Sequence, residues 1–552
     1  MKKYLFFLLF LPFVFSCENQ GKRFNHEGGE VNFPINTPLS TKIPCFAFDL
    51  NTQMVLSQVY EGLVEIDPTT YQIKPLLAEK IDYSPDFTSF TFTLRKNIRY
   101  HSEKGDKQMS HLRLKPEDVI KTLEYDCQQI QGKSSYAYQN VLHEIQGAEA
   151  FNQKKADTIA GLSIEDNEIT IDLERPDPSF LQKIASLSVS ILPTEWLENP
   201  VGMPPGTGPF YLKEVSNRQI VLEKNQHYHK KSNQGYKLPY LHKINFWIYK
   251  NEKQKVKDFL AGKLDIISQL SIDQMSQIFK EKKANFNSIP PKLIYKNVPL
   301  LKTTLLLFNV EKPIFQAAKN RRYFNYAIDR TVFNREILKD PDNDSKVYGL
   351  IPRLGNLFNT YEYQSLIRES LNYKPSKIDT SLFENYRNDT LVLNVLNDPR
   401  RIKTGKIIQQ QLKNHLGISL KVIPLSAKDF FKSIEKRDAD LYLVSLSGDF
   451  LSPLSLMSHF YSGSIPDSTN VPSNVNFMRY KNWYFDQFYE KASRQIKTSD
   501  QMHNLLLAEK ELLKNPPFIV LYYNYDNYIY NAKVKNFSTN RLNLISFREI
   551  YR

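Results

Sequence analysis

Cysteine is nearly absent: the 552 residues contain 3, at positions 17, 45 and 127. No two form a Cys-x-x-Cys pair, which excludes zinc-ribbon and thioredoxin-type centres. Organised nucleophiles are missing as well. There is no Gly-x-Ser-x-Gly elbow, no His-Glu-x-x-His helix and no Cys–His pair in a catalytic frame. His143-Glu144 opens like a zincin motif, but the second histidine is absent. An exported hydrolase is therefore an alternative with no motif to carry it. After residue 15 no apolar run approaches the ~20 residues that span a bilayer. No repeat of solenoid length recurs. The net charge is +14, yet dense basic clusters are lacking: acids are interleaved, and the tightest stretches, 280–284 (KEKKA) and 95–101 (RKNIRYH), are short. Without a recognition helix, an RNA-binding sheet or a zinc knuckle, this charge reads as a solvated basic surface, and no nucleic acid is expected as a partner.

What is present is globular: 41% hydrophobic, 24% charged and 13% aromatic residues. A chain of 552 residues exceeds one ordinary core, so two or more lobes are expected. The 32 Tyr and 35 Phe suit both packing and a wide, amphipathic contact surface. The N-terminus, MKKYLFFLLFLPFVFSC, has two lysines, an apolar run over 4–15 and a small residue before Cys17. This is the pattern of a secretion signal. Val14-Phe15-Ser16-Cys17 resembles a lipobox, with bulky Phe15 its departure. Residues 1–17 therefore read as a lipoprotein signal, with Cys17 as the lipidation site. Residues 18–30, polar and glycine-bearing, read as a flexible tether. The protein is expected to be exported and held at a membrane by lipid, in the periplasm or at the cell surface. Cys45 and Cys127 remain, and nothing in the sequence forces them into a disulfide.

Helical and strand patterns alternate along the chain, which predicts an α/β fold. Residues 89–95 (SFTFTLR) and 168–174 (EITIDLE) alternate at period two, as half-buried strands do. Residues 114–130 read as a helix opening at Pro116-Glu117, and 207–225 as a β-hairpin with Asn217 near its turn. Residues 302–310 read as a strand and 317–338 as one long amphipathic helix. A strand over 391–398, a helix over 404–417 capped by Thr404 and stopped at Gly417, and a strand over 418–425 predict a parallel β-α-β unit. Residues 501–515 predict a late helix and 517–524 a final strand.

Several strings, in order, resemble the family-5 extracellular solute-binding proteins of ABC importers, of the oligopeptide- and dipeptide-binding lipoprotein type. They are YEGLVEID (60–67), PLLAEKIDYSPDFTSFTFTLRKNIRYHS (75–102), LKPEDVIKTLE (114–124), the stretch 145–185, GTGPFYLKEV (206–215), LLFNVEKPIFQAAKNRRYFNYAIDR (306–330) and NPPFIVLYY (515–523). Region 340–390 is not recognisable, and SEKGDKQMSH displaces the glycine usual after His101. The resemblance implies a two-lobed periplasmic-binding-protein clamp with mixed sheets flanked by helices and an extra small subdomain. Lobe I would comprise 31–300, with the subdomain at about 68–160, and 518–552; lobe II would comprise 301–517. The hinge would be two short β-segments. It implies capture of a peptide by clamp closure and delivery to an ABC permease, by a monomer that is not an enzyme. A nickel chelate, haem, an oligosaccharide or a signalling peptide is the alternative ligand.

A peptide's α-amino group enclosed between lobes needs an anion. In GDFLSP (448–453) the resemblance makes Asp449 that counter-ion, followed by Phe450 and Pro453. The plain alternative is a loop carboxylate bonded to nearby N–H groups, although Ser452-Pro453 can start the next helix without it. Leu446 stands where relatives often carry a tryptophan beside the ligand, and Tyr136 where they offer a tyrosine to its backbone. The expected ligand contacts are Asp449, Phe450, Leu446 and Tyr136. Gly206 and Gly208 read as turn residues, Arg321-Arg322 as solvent-facing, and His101, His227 and His229 as surface histidines. No metal or cofactor is expected.

Overall fold

A computed structural model describes residues 28–47, 49–67, 72–101, 111–130, 133–338, 349–352, 373–448, 450–465, 473, 475–495 and 498–552. Two lobes of mixed α/β structure are joined by one shared sheet. In the first lobe a four-stranded sheet runs in the order Glu30–Ile35, Lys243–Ile248, Gln219–Lys224, Phe210–Val215. The outer pair is parallel and the others antiparallel, the last two forming the expected hairpin. An antiparallel sheet, Ala78–Tyr83, Ser89–Leu94, Glu168–Asp172, Leu162–Glu165, builds a subdomain with its own core. Alternation along Ser89–Leu94 sends Phe90, Phe92 and Leu94 into that core, with the helix Pro116–Cys127 packed against it through Val119 and Leu123. Cys45 and Cys127 are both buried there as free thiols.

The six-stranded sheet joins the lobes, in the order Ile266–Ile267, Phe518–Asn531, Leu293–Phe308, Leu441–Ser447, Thr390–Leu396, Ser419–Leu425. Leu293–Phe308 and Phe518–Asn531 run through both lobes side by side. They pair from Leu293–Pro299 against Asn531–Tyr525, then resume at Thr303 opposite Tyr523, with an irregularity between. Phe518 and Val520 pack in the second lobe's core, and Tyr528 packs in the first lobe's. In the second lobe Thr390–Leu396 pairs in parallel with both neighbours, as the β-α-β pattern predicts. Among the described residues no helix is long and apolar enough to cross a membrane.

Three local expectations are corrected. The long helix over 317–338 is broken: Ala318–Tyr326 ends, and Asp329 caps a second helix, Arg330–Phe333, by accepting from the Thr331 N–H at 2.9 Å. The break lets the Arg330 Nε donate to the Val520 carbonyl at 2.7 Å. The helix placed at 404–417 begins at Pro399, with Asp398 accepting from the Arg401 N–H at 3.0 Å. Thr404 lies inside it and donates to the Arg400 carbonyl. Arg321 is buried, not solvent-facing: its Nε donates to the Pro516 carbonyl at 2.7 Å and its Nη1 to that of Gln316 at 2.9 Å.

Gly206 and Gly208 serve a close approach between backbones. Their strand docks on residues 58–59, with the Gly208 N–H donating to Val59 O at 2.9 Å and the Phe210 N–H to Gln58 O at 3.0 Å. A Cβ on Gly206 would lie 2.1 Å from the Val59 carbonyl oxygen. Backbone cannot yield there as a side chain can. Gly206→Ala is expected to destabilise the first lobe by roughly 1–3 kcal/mol, read as a lower denaturation midpoint with unchanged slope.

Candidate functional site

The two lobes enclose a cleft of about 1320 Å³. Its second-lobe wall starts with the strand Leu441–Ser447. Strand alternation presents Ser445 and Ser447 to the cleft, while Leu446 between them is buried in the second lobe's core. Leu446 thus packs in the core and is not among the residues lining the cleft. The strand ends at Gly448, whose N–H donates to the Leu301 carbonyl at 2.9 Å. A Cβ at 448 would sit 2.4 Å from both Leu301 Cδ2 and Ser455 Oγ, so a larger residue would force those two side chains to shift. Ser452 caps the helix Pro453–Met457 by accepting from the Leu454 N–H, and Ser455 Oγ donates to the Phe450 carbonyl at 2.9 Å. Asp449 lies outside the described residues, and so does Cys17. The neighbours of Asp449, Gly448 and Phe450, both line the cleft.

Across from Phe450, the first lobe supplies a charged cluster. Lys183 Nζ donates to Glu144 Oε1 and Oε2 at 2.6 and 2.8 Å and lies 2.9 Å from Asp177 Oδ2. The same ammonium stands 5.9 Å from the centroid of the Phe450 ring, so the cation and the ring meet across the cleft. The Asp-Pro-Ser turn before the helix Phe180–Ile184 positions Asp177, which accepts from the Ser179 N–H at 2.9 Å. Burial, with Asp177 adding to it against Lys183, pushes Glu144 up to about 7. Burial also acts to raise Asp177, but Lys183 holds it below its ordinary value. Tyr489 of the second lobe faces these charges, and its ring lies 4.9 Å from that of Tyr461.

Tyr136 opens the helix Tyr136–Asn140 and lines the cleft, as does Tyr138. Ser135 fixes the helix start, accepting from the Tyr138 N–H at 2.9 Å and donating to the Asp126 carbonyl at 2.6 Å. The structure therefore brings Tyr136 and Phe450 to one cleft and leaves Leu446 in the core. Deeper in the first-lobe wall, Glu65 takes Arg548 bidentately, at 2.5 and 3.1 Å, together with Lys230. Glu61 accepts from the Tyr228 hydroxyl at 2.7 Å and pairs with His229 Nε2 at 3.0 Å. These contacts tie Glu61 and Glu65 to residues 228–230, and Glu65 also to Arg548.

Two histidines depart from the surface reading. His229 has an 11% exposed side chain held by Glu61. The His101 ring has a buried Nε2 without a hydrogen-bond partner, and burial brings its pKa down to about 4. Sequence reasoning missed Glu144, Asp177, Lys183 and also Lys302, which lines the cleft at the start of the run KTTLLLF. A lysine opening so apolar a strand was the available signal, since lysine is rarely buried without a reason.

The family described as bacterial extracellular solute-binding proteins, family 5 Middle, matches residues 72–467. The chain is 21% identical to the dipeptide-binding protein DppE of Bacillus subtilis, over 94% of this chain and 92% of the relative. It is also 21% identical to the oligopeptide-binding protein OppA of the same organism, over 99% and 98%. Among solved structures, the periplasmic binding protein DppA of Helicobacter pylori in complex with the peptide STSA superposes with a TM-score of 0.77. It is 20% identical, over 95% of this chain and 98% of that one. On these matches and the two-lobed fold, the chain belongs to the family-5 extracellular solute-binding proteins of bacteria.

Proposed function

We propose that this protein captures peptides outside the cytoplasm by closing its lobes on them, and delivers them to the permease of an ABC importer. The observation that carries the reading is the cleft. At about 1320 Å³ it exceeds the ~300–1,000 Å³ of an ordinary small-molecule site. Its walls carry aromatic rings and charged groups from both lobes, the mixture an amphipathic, zwitterionic chain requires. Ligand that contacts both walls binds the closed form better than the open one and shifts the population toward it. Closure bends the paired strands where their register slips, near Pro299–Thr303 and Tyr523–Tyr525. In this reading the outward crossing stays near the expected 300, and the return crossing shifts from the expected 517 to about 524, since Phe518 and Val520 pack in the second lobe's core. No bond is made or broken by this chain. It acts as a monomer, tethered through lipidated Cys17. Asp449 holds the ligand's amine, with Phe450 and Tyr136 beside the ligand's backbone.

Thermal unfolding with mixed di- to pentapeptides tests this. Peptide at a hundred times its Kd is expected to stabilise the protein by about 2.7 kcal/mol, visible as a rise in melting temperature. A rise with cello-oligosaccharides, haem or nickel chelates, and none with peptides, would sink the reading.

A further inference from the structure

Lys183 reaches across the cleft. Its ammonium belongs to the first lobe, yet it stands 5.9 Å from the centroid of the second lobe's Phe450 ring, which is only 8% exposed. Tyr489, from the second-lobe helix Trp483–Ser493, lines the same cleft and faces Lys183, Glu144 and Asp177. Arg175 of the first lobe likewise faces Tyr461 of the second. The lobes thus meet here through their own side chains. The charge count at this meeting point is uneven. Glu144 and Asp177 share one ammonium, at 2.6 and 2.9 Å, so the cluster carries a net negative charge when both acids are ionised. The neighbouring groups do not cancel it. Glu174, whose N–H donates to the Glu144 carbonyl at 2.9 Å, accepts from the Gly147 N–H at 3.0 Å, and Glu149 accepts from Gln153 Nε2 at 2.8 Å. His143 turns Nδ1 to the Tyr138 carbonyl at 3.2 Å. Glu490, next to Tyr489, is taken by the Tyr461 hydroxyl at 2.9 Å and by Arg494 at 3.0 Å. In an open clamp the cluster faces water, which screens the excess charge. Closing lays two aromatic rings over it and removes that water. A net charge in such a place is costly, and a carboxyl beside a second carboxylate relieves it by binding a proton. Glu144 is the acid placed to do so. Its side chain is 29% exposed, against 8% for Asp177, so a proton reaches it from the cleft.

We infer that Lys183, Glu144 and Asp177 of the first lobe and Phe450 and Tyr489 of the second form a latch that is made as the clamp closes, and that making it takes up one proton at Glu144. The inference rests on the closing motion of the reading above, and not on what the ligand is. Acid then favours the closed form. Burial, against the pull of Lys183 and with Asp177 adding to it, pushes Glu144 up to about 7 in the closed structure. Opened to water, it returns toward the ordinary glutamate value of about 4.3. The latch's contribution is therefore fully present below the open-form value and is lost as the pH rises through about 7. The groups around it do not change charge across that range. Burial opposes the charge on Asp177, but Lys183 holds it below its ordinary value. Burial also opposes the charge on Lys183, and Glu144 and Asp177 hold it well up. Burial keeps the Tyr489 hydroxyl protonated, and burial followed by Lys183 brings His143 down to about 4.

The test uses the full chain, stripped of ligand by unfolding and refolding, as wild type, Glu144→Gln and Tyr489→Ala. Glu144→Gln puts a neutral amide in place of the protonated acid, and Tyr489→Ala strips the cover while leaving the first-lobe cluster intact. Small-angle X-ray scattering at pH 5.5 and 7.5 reads the closed fraction without ligand. Wild type is expected to be more compact at pH 5.5 than at pH 7.5, Glu144→Gln to be equally compact at both, and Tyr489→Ala to lose the pH response. Calorimetric titration with trialanine, in two buffers of different ionisation enthalpy, counts protons taken up on binding. Wild type is expected to take up about one proton at pH 6 and to bind roughly tenfold more tightly at pH 5.5 than at pH 7.5. Glu144→Gln is expected to take up none and to bind alike at both. The ligand's own groups titrate equally in the two proteins, so the difference between them belongs to Glu144. Equal compactness of wild type at both pH values, or a pH response that survives in Glu144→Gln, overturns the latch and leaves peptide capture standing. An acid-driven compaction that Glu144→Gln abolishes, in a protein that binds no peptide, keeps the latch and overturns the peptide reading.

Discussion

Lys183→Met should destabilise the protein by about 3–5 kcal/mol, the largest stability loss expected of any single substitution around the cleft. The methionine fills the space but leaves Glu144 and Asp177 without the cation that neutralises them. The cost should depend on pH, with a sign fixed by the two acids. Glu144 already stands raised to about 7 in the folded protein. Between its ordinary value and 7 the folded state therefore holds more protons than the unfolded state, and stability falls as the pH rises through that window. Asp177 behaves oppositely: its lowered value contributes stability above the ordinary carboxylate range, lost only as the pH falls through its folded value. Without Lys183 both acids are raised. The gap between variant and wild type should be widest near pH 8 and narrow toward pH 5, as measured by urea denaturation at each pH. Adding Glu144→Gln and Asp177→Asn to Lys183→Met should recover most of the loss, since a neutral cluster has no stranded charge. A pH-independent gap would mean that lost packing against Phe450, not lost charge, sets the cost.

This cluster also marks how far the sequence could be read. The strands Ser89–Leu94 and Glu168–Asp172 were legible because alternation is local, and their pairing places the alternate residues in one core. The β-α-β unit was legible for the same reason. Lys183 and Glu144 lie 39 residues apart, and Glu65 and Arg548 lie 483 apart. No periodicity links such partners, because the fold brings them together. The helix start at Asp398 was missed because Thr404 offered a second capping residue, and Pro399 at the first helical position decides between them. The break at Ala327–Asp329 was hidden for a tertiary reason, the carbonyl of Val520 that Arg330 satisfies. Leu446 illustrates the period-two rule at its most consequential. One position separates it from Ser445 and Ser447, and that step moves it from the cleft to the core.

Asp449→Ala should weaken binding of peptides with a free amine by about 2–5 kcal/mol, roughly 30- to 4,000-fold in Kd. The cap of the next helix is supplied by Ser452, and Ser455 holds the Phe450 carbonyl. Both structural tasks at this turn are met without residue 449. Its neighbours on both sides line the cleft. If Asp449 is the ligand's counter-ion, its loss strands an ammonium between closed lobes, while the free protein's stability should move by no more than about 0.5 kcal/mol. The same carboxylate predicts the effect of changing the ligand. Acetylating the peptide's amine should cost wild type about as much as the mutation does, and should cost Asp449→Ala little, because the two changes remove one interaction. Calorimetric titration of both proteins with both peptides measures all four corners of that cycle. Additive losses would assign Asp449 to the loop and the amine to another acid.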